Sequence, residues 1–179
     1  MSETVKILAM DLSLNLPAFA VCEIVDGVMS VKALYHCDNK KPAGMSHAEK
    51  LDNLRSMVLK IKREHGTIDY ICRERGFSRF NKTTQALYKV VGMSDWSCYE
   101  SFSVKQIYEY PPTTVKQALC GTGKASKEEV EEAVRERLKL AGQEDMTFYS
   151  DDESDAVAVA FAHAEELKLL KRVRRYADY

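Results

Sequence analysis

The sequence predicts a mixed α/β domain, with three antiparallel strands followed by parallel ones and helices flanking the sheet. Three observations carry this. Residues 5–11, V-K-I-L-A-M-D, form a short apolar run long enough for one buried strand, and it stops on a carboxylate. Asp26-Gly27 separates two further strand-like runs, residues 18–25 and 28–35, and Asp-Gly is a strong two-residue hairpin signal. Downstream, four Ser/Thr-x-x-Glu/Gln pairs each mark a helix start. With 179 residues the chain is expected to form one domain over 1–179, large enough for a single substantial core.

In order, the three strands lead into a loop at 38–44 (D-N-K-K-P-A-G). Ser46 and Glu49 then cap a helix reaching His65-Gly66, with Leu51, Leu54, Val58 and Ile61 as its apolar stripe. Residues 68–73 (I-D-Y-I-C-R) form the next strand and end at Glu74. A helix through Ala86, Leu87, Val90 and Val91 is expected to close near Gly92. Residues 96–104 read as a strand and 107–110 as a short apolar or edge segment before Pro111-Pro112. Thr114 and Gln117 open a short helix ending at Cys120-Gly121. Ser126 and Glu129 open another over 128–141, and Ser150 and Glu153 open a long one reaching about Arg175.

Composition excludes several classes. Apolar residues make up 45% and charged residues 30%, and no uninterrupted apolar run is long enough to cross a membrane. The N-terminus enters the first strand without the basic and apolar parts of a signal peptide. The five cysteines, Cys22, Cys37, Cys72, Cys98 and Cys120, are scattered and form no C-x-x-C pair, so reduced thiols in a cytoplasmic protein are expected. Net charge is −1, which argues against a nucleic-acid partner, but local basic clusters argue for one. Arg73, Arg75, Arg79 and Lys82 form one cluster, Lys116, Lys124 and Lys127 a second, and the C-terminal tail a third. Gly121-Thr122-Gly123-Lys124 resembles a phosphate loop, but positions 118 and 125 are both Ala, so no nucleotide cofactor is expected.

Carboxylates stand where an α/β sheet places its chemistry. Asp11 ends the first strand and Glu74 the strand after the first helix, while Asp152 and Asp155 lie three apart in the first turn of the last helix. If the two strands are neighbours and the helix packs on the sheet, all four converge. Several carboxylates in one cleft repel one another, and hard oxygen-loving cations compensate. The plain alternative is that Asp151, Asp152 and Glu153 complement the helix dipole, Asp11 makes an Asx turn and Glu74 is a solvated strand end. The last helix carries Ala at alternate positions from Ala156 to Ala164, which permits a close approach to the sheet. His163 reads as a packed residue.

These fragments together resemble the RuvC family of Holliday junction resolvases, within the ribonuclease H-like nuclease fold. The resemblance rests on Asp11, on Glu74-Arg75-Gly76-Phe77, on Val115-Lys116-Gln117, on Gly121 to Lys127, and on Asp152-Glu153-Ser154-Asp155-Ala156 with His163 in register. It implies two Mg²⁺ ions, replaceable by Mn²⁺, held by Asp11, Glu74, Asp152 and Asp155, with Asp11 bridging. It implies that Phe77 stacks on an unpaired base and that Lys116 and Lys127 touch phosphates near the scissile bond. Arg75, Arg79, Lys82 and Lys124 are the further DNA-binding candidates. A homodimer, joined through the helix from about Asn81 to Gly92, would nick opposed strands of a four-way DNA junction and leave 5′-phosphate and 3′-hydroxyl ends. The apolar residues of that helix, Leu87, Val90, Val91 and Met93, are equally open to an intramolecular role.

Two departures place the chain on a divergent branch of phage or prophage type. The family follows its first Asp with Pro-Gly, whereas Leu12-Ser13-Leu14-Asn15 stands here, and the near-neutral charge departs from the basic bacterial enzymes. Three other readings remain open: a broader branched-DNA, flap or RNA-processing nuclease, a catalytically silent junction binder, and an α/β domain with no nucleic-acid role.

Overall fold

The computed structural model describes residues 4–76 and 81–171, apart from the side chains of residues 81 and 82. Its strands are β1 (Thr4–Asp11), β2 (Ala18–Val25), β3 (Val28–His36), β4 (Tyr70–Glu74) and β5 (Tyr108–Tyr110). Its helices are α1 (His47–His65), α2 (Asn81–Phe102), α3 (Pro112–Cys120), α4 (Lys127–Leu138) and α5 (Asp151–Glu166). The sheet order is β3-β2-β1-β4-β5; the β1–β2 and β2–β3 pairs are antiparallel, and β4 runs parallel to both β1 and β5. The expected mixed sheet is therefore present, with β1 at its centre.

Side-chain alternation on β1 assigns the two faces. Leu8 and Met10 join Phe19, Val21 and Ile71 beneath Leu54, Val58 and Ile61 of α1 and Val90 and Cys98 of α2. Ile7 and Ala9 join Ala20, Cys22 and Cys72 beneath α3, α4 and α5. By the same period of two, Asp11 and Glu74 point to the α5 face. The run that ends at Asp11 is apolar because β1 is covered on both sides. In α5 every residue from Ala156 to Ala164 is buried, and its alanines let it lie close on the central strands.

The Asp26-Gly27 hairpin forms as expected, both residues having positive φ, 50° and 76°. Register then shifts between Val21 and Cys22, so Lys32 is an extra residue on β3. This bulge aligns Ala18 with His36 and Phe19 with Tyr35. His36 is thereby turned to the α5 face and Tyr35 to the α1 face, where its hydroxyl meets Glu64 and His65.

Several local expectations are corrected. Residues 96–104 are not a strand, because α2 continues through Gly92 to Phe102. One glycine in a helix interior costs only about 1 kcal/mol, and Val90, Ser94, Ser97 and Cys98 are buried at helical spacing. Ser94 and Ser97 satisfy their hydroxyls on the carbonyls of Val91 and Met93, so small polar residues line an interior helix face. Residues 107–110 supply β5 instead. The boxes at Ser46/Glu49 and Ser126/Glu129 form in full. That at Thr114/Gln117 does not: α3 starts earlier, with Pro112 in its first turn, and Gln117 donates to the Gly121 carbonyl. Ser150 makes no side-chain cap either: the Glu153 N–H donates to the Ser150 carbonyl, and the Glu153 side chain turns inward.

The long final helix stops at Glu166 and does not reach Arg175. Lys168 takes φ 56°, Leu169 donates back to the Ala164 carbonyl, and Leu169 and Leu170 pack on the core. Lys171 then donates to the carbonyl of Gly27, so close that a Cβ at 27 would stand 2.9 Å from its nitrogen. Nothing at the helix end signals this in Gly or Pro; burial of the two leucines offsets the left-handed lysine.

Because α5 depends on small side chains, Ala160→Leu is expected to lower stability by about 1–3 kcal/mol. Urea unfolding followed by circular dichroism checks this.

Candidate active site

Asp11 and Glu74 are the last residues of adjacent parallel strands, since Met10 aligns with Arg73. Both face α5, and the first turn of α5 lies over them. Asp11, Asp152 and Asp155 each offer a carboxylate oxygen within 4.8 Å of the others. Glu74 is not in that tight group, but the charges of Glu74 and Asp11 act on each other across the cleft. Lys127, at the start of α4, sits over the cluster with Nζ 3.5 Å from Asp155 and 3.9 Å from Asp151. The residues expected to do the chemistry, Asp11, Glu74, Lys127, Asp152 and Asp155, are thus brought to one place by β1, β4, α4 and α5.

The electrostatics follow from crowding. Burial raises the Asp11 carboxyl well above its usual range; Glu74, Asp155 and Asp152 raise it further, and Lys127 pulls the other way. Glu74 is pushed up to about 7 by burial and by Asp155, against Lys127 and Lys116. Burial also raises Asp155, against its contact with Lys127. Burial opposes the charge on Lys127, but Asp155, Asp151 and Asp152 outweigh it, so the ammonium holds its proton more firmly than usual. Hard carboxylate oxygens crowded until their proton affinity rises are a donor set that suits a divalent cation.

The other predicted positions fall into three groups. Lys116 donates to the Ala125 carbonyl at 2.6 Å and so braces the turn that presents Lys127. Lys124 is exposed on the same turn, and Arg75 is exposed beside Glu109, to whose carboxylate it stands 3.9 Å away. Phe77 and Arg79, with the side chain of Lys82, lie outside the described residues. Arg73 is a correction: it is buried, held by Asp95, Ser94 and Glu109, and does not belong to a surface basic cluster.

Two features are not visible in the sequence. The segment that replaces Pro-Gly after Asp11 is held by Asn39, whose amide donates to the Leu14 carbonyl and whose backbone N–H donates to that of Asn15. Between this segment and Gln85 and Leu87 of α2 runs a groove of about 800 Å³ that reaches Asp152. The second is Glu153, which is buried and bonded to His36. Its signal, a register shift in the hairpin, cannot be seen from local composition.

A protein-family model described as "Crossover junction endodeoxyribonuclease RuvC" matches residues 42–163, more than half of the chain. The chain belongs to the RuvC family. The RuvC of Clostridioides difficile (strain 630) is 27% identical over 168 residues, 94% of this chain and 95% of that protein. That of Chloroflexus aggregans is 30% identical over 135 residues, 73% of this chain and 76% of that protein. That of Natranaerobius thermophilus is 41% identical over a shorter stretch of 68 residues, 38% of this chain and 40% of that protein. Among solved structures, "T. thermophilus RuvC in complex with Holliday junction substrate" superposes with a TM-score of 0.79 at 22% identity, over 92% of this chain and 96% of that one. The likeness establishes the ribonuclease H-like fold.

With no cation bound, Asp11 and Glu74 keep protons in the folded protein that the unfolded chain releases above about pH 4.3. Between there and about pH 7 the folded state binds more protons, so their contribution to stability is present at the acid end and is lost as pH rises. In chelator, the melting temperature is expected to fall between about pH 5 and pH 8, with a shallower fall in Glu74→Gln. Calorimetry across that range checks it.

Proposed function

We propose that this protein is a structure-selective endonuclease that resolves four-way DNA junctions by metal-assisted phosphodiester hydrolysis. The observation that carries the proposal is the convergence of Asp11, Asp152 and Asp155 within 4.8 Å at the carboxyl end of the central strand. Membership in the RuvC family supports the reaction class. Asp11, Glu74, Asp152 and Asp155 would hold two Mg²⁺ ions, or Mn²⁺ in their place. Such ions lower the pKa of the attacking water and stabilise charge on the phosphate oxygens.

The chain's own groups do the rest. Lys127 stands over the cluster on the solvent side, where its charge stabilises the pentacovalent phosphate as a water oxygen bonds to phosphorus and the bond to the 3′ oxygen breaks. The 3′ oxygen takes up a proton, and the phosphate remains on the 5′ end. Lys116 keeps the Lys127 turn in place, and Lys124 and Arg75 reach the backbone on either side. Phe77 stacks on an unpaired base at the junction centre, with Arg79 and Lys82 on the flanking phosphates.

A four-way junction has approximate two-fold symmetry, and a two-fold dimer would set two such sites on opposed strands. Val90 is buried and Val91 and Met93 pack on the protomer's own core. Tyr88, Trp96 and Tyr99 instead point outward from α2, 70%, 58% and 55% exposed, and these aromatics form the proposed dimer face.

Incubation with Mg²⁺ and a synthetic four-way junction, beside matched duplex, flap and fork, tests the proposal. Paired nicks in the junction are expected. Asp11→Asn is expected to abolish them and Lys127→Ala to slow them by about 10²-fold. Equal cutting of every branched substrate would favour the broader nuclease, and junction binding without cleavage the silent binder. A Trp96→Glu/Tyr99→Glu double variant is expected to sediment as a monomer and to lose the pairing of nicks.

A further inference from the structure

The first turn of α5 carries two members of the acidic cluster, and its cap residue does little to hold it. Ser150 stands at the cap without a side-chain hydrogen bond, and its hydroxyl is buried without a partner. Asp151, Asp152 and Asp155 crowd negative charge onto the same turn. Lys127 pairs with its solvent side, and Glu153 ties its inner side to β3 and to the residue before the cap. Only 4% exposed, Glu153 uses both oxygens: Oε1 lies 2.9 Å from Nδ1 of His36, and Oε2 accepts the Tyr149 N–H at 2.7 Å. The ring of His36 in turn stacks on that of Tyr149, with centroids 4.0 Å apart and planes 11° apart.

Register shows what this closed loop of contacts is tied to. His36 aligns with Ala18, and Ala18 with Asp11, so the three stand in one row across β3, β2 and β1 on the α5 face. Two strand spacings put the His36 backbone about 10 Å from that of Asp11. Between them is only the methyl group of Ala18, which leaves room for the helix end. Successive helix residues project about 100° apart. With Glu153 directed inward to His36, Asp151 is left exposed while Asp152 and Asp155 come within 4.8 Å of Asp11. A turn of one residue in either direction would undo that convergence.

We propose that His36, Glu153 and Tyr149 form a positioning clasp, which sets the rotation of the first turn of α5 so that Asp152 and Asp155 face Asp11 in a geometry that holds a divalent cation. The proposal rests on the cluster being the cation site of the proposed nuclease. None of the three residues touches the reacting atoms. The clasp acts through the rotation of the helix and owes nothing to a titration of its members.

The test is Mn²⁺ binding followed by electron paramagnetic resonance without DNA, together with the exchange rate of the Tyr149 amide hydrogen. His36→Ala is expected to weaken Mn²⁺ binding by about tenfold or more while the protein stays folded and binds junction DNA in chelator as before. His36→Asn keeps a donor near the place of Nδ1 and is expected to bind Mn²⁺ to within about threefold of the parent. Glu153→Ala is expected to weaken Mn²⁺ binding likewise and to speed exchange at Tyr149. Unchanged Mn²⁺ affinity in folded His36→Ala overturns the clasp and leaves the cation site standing. Equal weakening in His36→Asn and His36→Ala also overturns it. A parent protein that takes up no Mn²⁺ overturns the cation site itself, and the clasp with it.

Discussion

The closeness with which α5 can lie on the central strands governs the rest of this molecule. Ala9 and Ala20 on the sheet meet a helix whose alanines run from Ala156 to Ala164, and none of these side chains extends beyond a methyl group. A bulkier contact would lift the helix and carry Asp152 and Asp155 away from Asp11. Apolar packing over many residues thus holds together carboxylates that would separate if left to their own charges. The favourable term is burial on both faces of β1; the unfavourable one is confined to a single end of the sheet.

That end is assembled from elements distant in sequence, each restrained by its own means. β1 and β4 are locked by parallel pairing, and α4 by a complete capping box that sets Lys127 at its start. The segment after Asp11 is tied down by Asn39, and the start of α5 by Glu153. Uncompensated charge and rigid support occur together here, which is the pattern of a site organised for a ligand at some expense to stability.

Much of this is legible in the sequence, and the reasons are physical. Asp11 and Glu74 can be placed because a strand buried on both faces shows as an apolar run with an abrupt end. Asp152, Asp155 and Lys127 can be placed because helix starts carry their own chemistry. Residues 96–104 resemble a strand because the inner face of α2 is built from Ser94, Ser97 and Cys98, so its 3.6-residue period is not an apolar one. The C-terminal boundary of α5 has no Gly or Pro signal because it is set by the packing of Leu169 and Leu170 on a core drawn from elsewhere in the chain. Glu153 resembles a capping residue because Ser-x-x-Glu looks the same in both roles, and only the bulge at Lys32 brings His36 within its reach.

The charge balance that argues against a nucleic-acid partner also has a structural explanation. Arg73, Arg135 and Arg137 are paired within the protein with Asp95, Glu109, Glu131 and Glu165, so the formal total does not describe the charge that a partner meets at the surface. Lys124, Lys127 and Arg75 are left exposed around the acidic cleft. Anomalous diffraction from crystals of the protein with an uncleaved junction and Mn²⁺ tests the acidic cleft as a cation site most directly. Mn²⁺ density enclosed by Asp11, Glu74, Asp152 and Asp155 is expected. Density confined to the exposed Asp151, or absent from the cleft at saturating Mn²⁺, would contradict it.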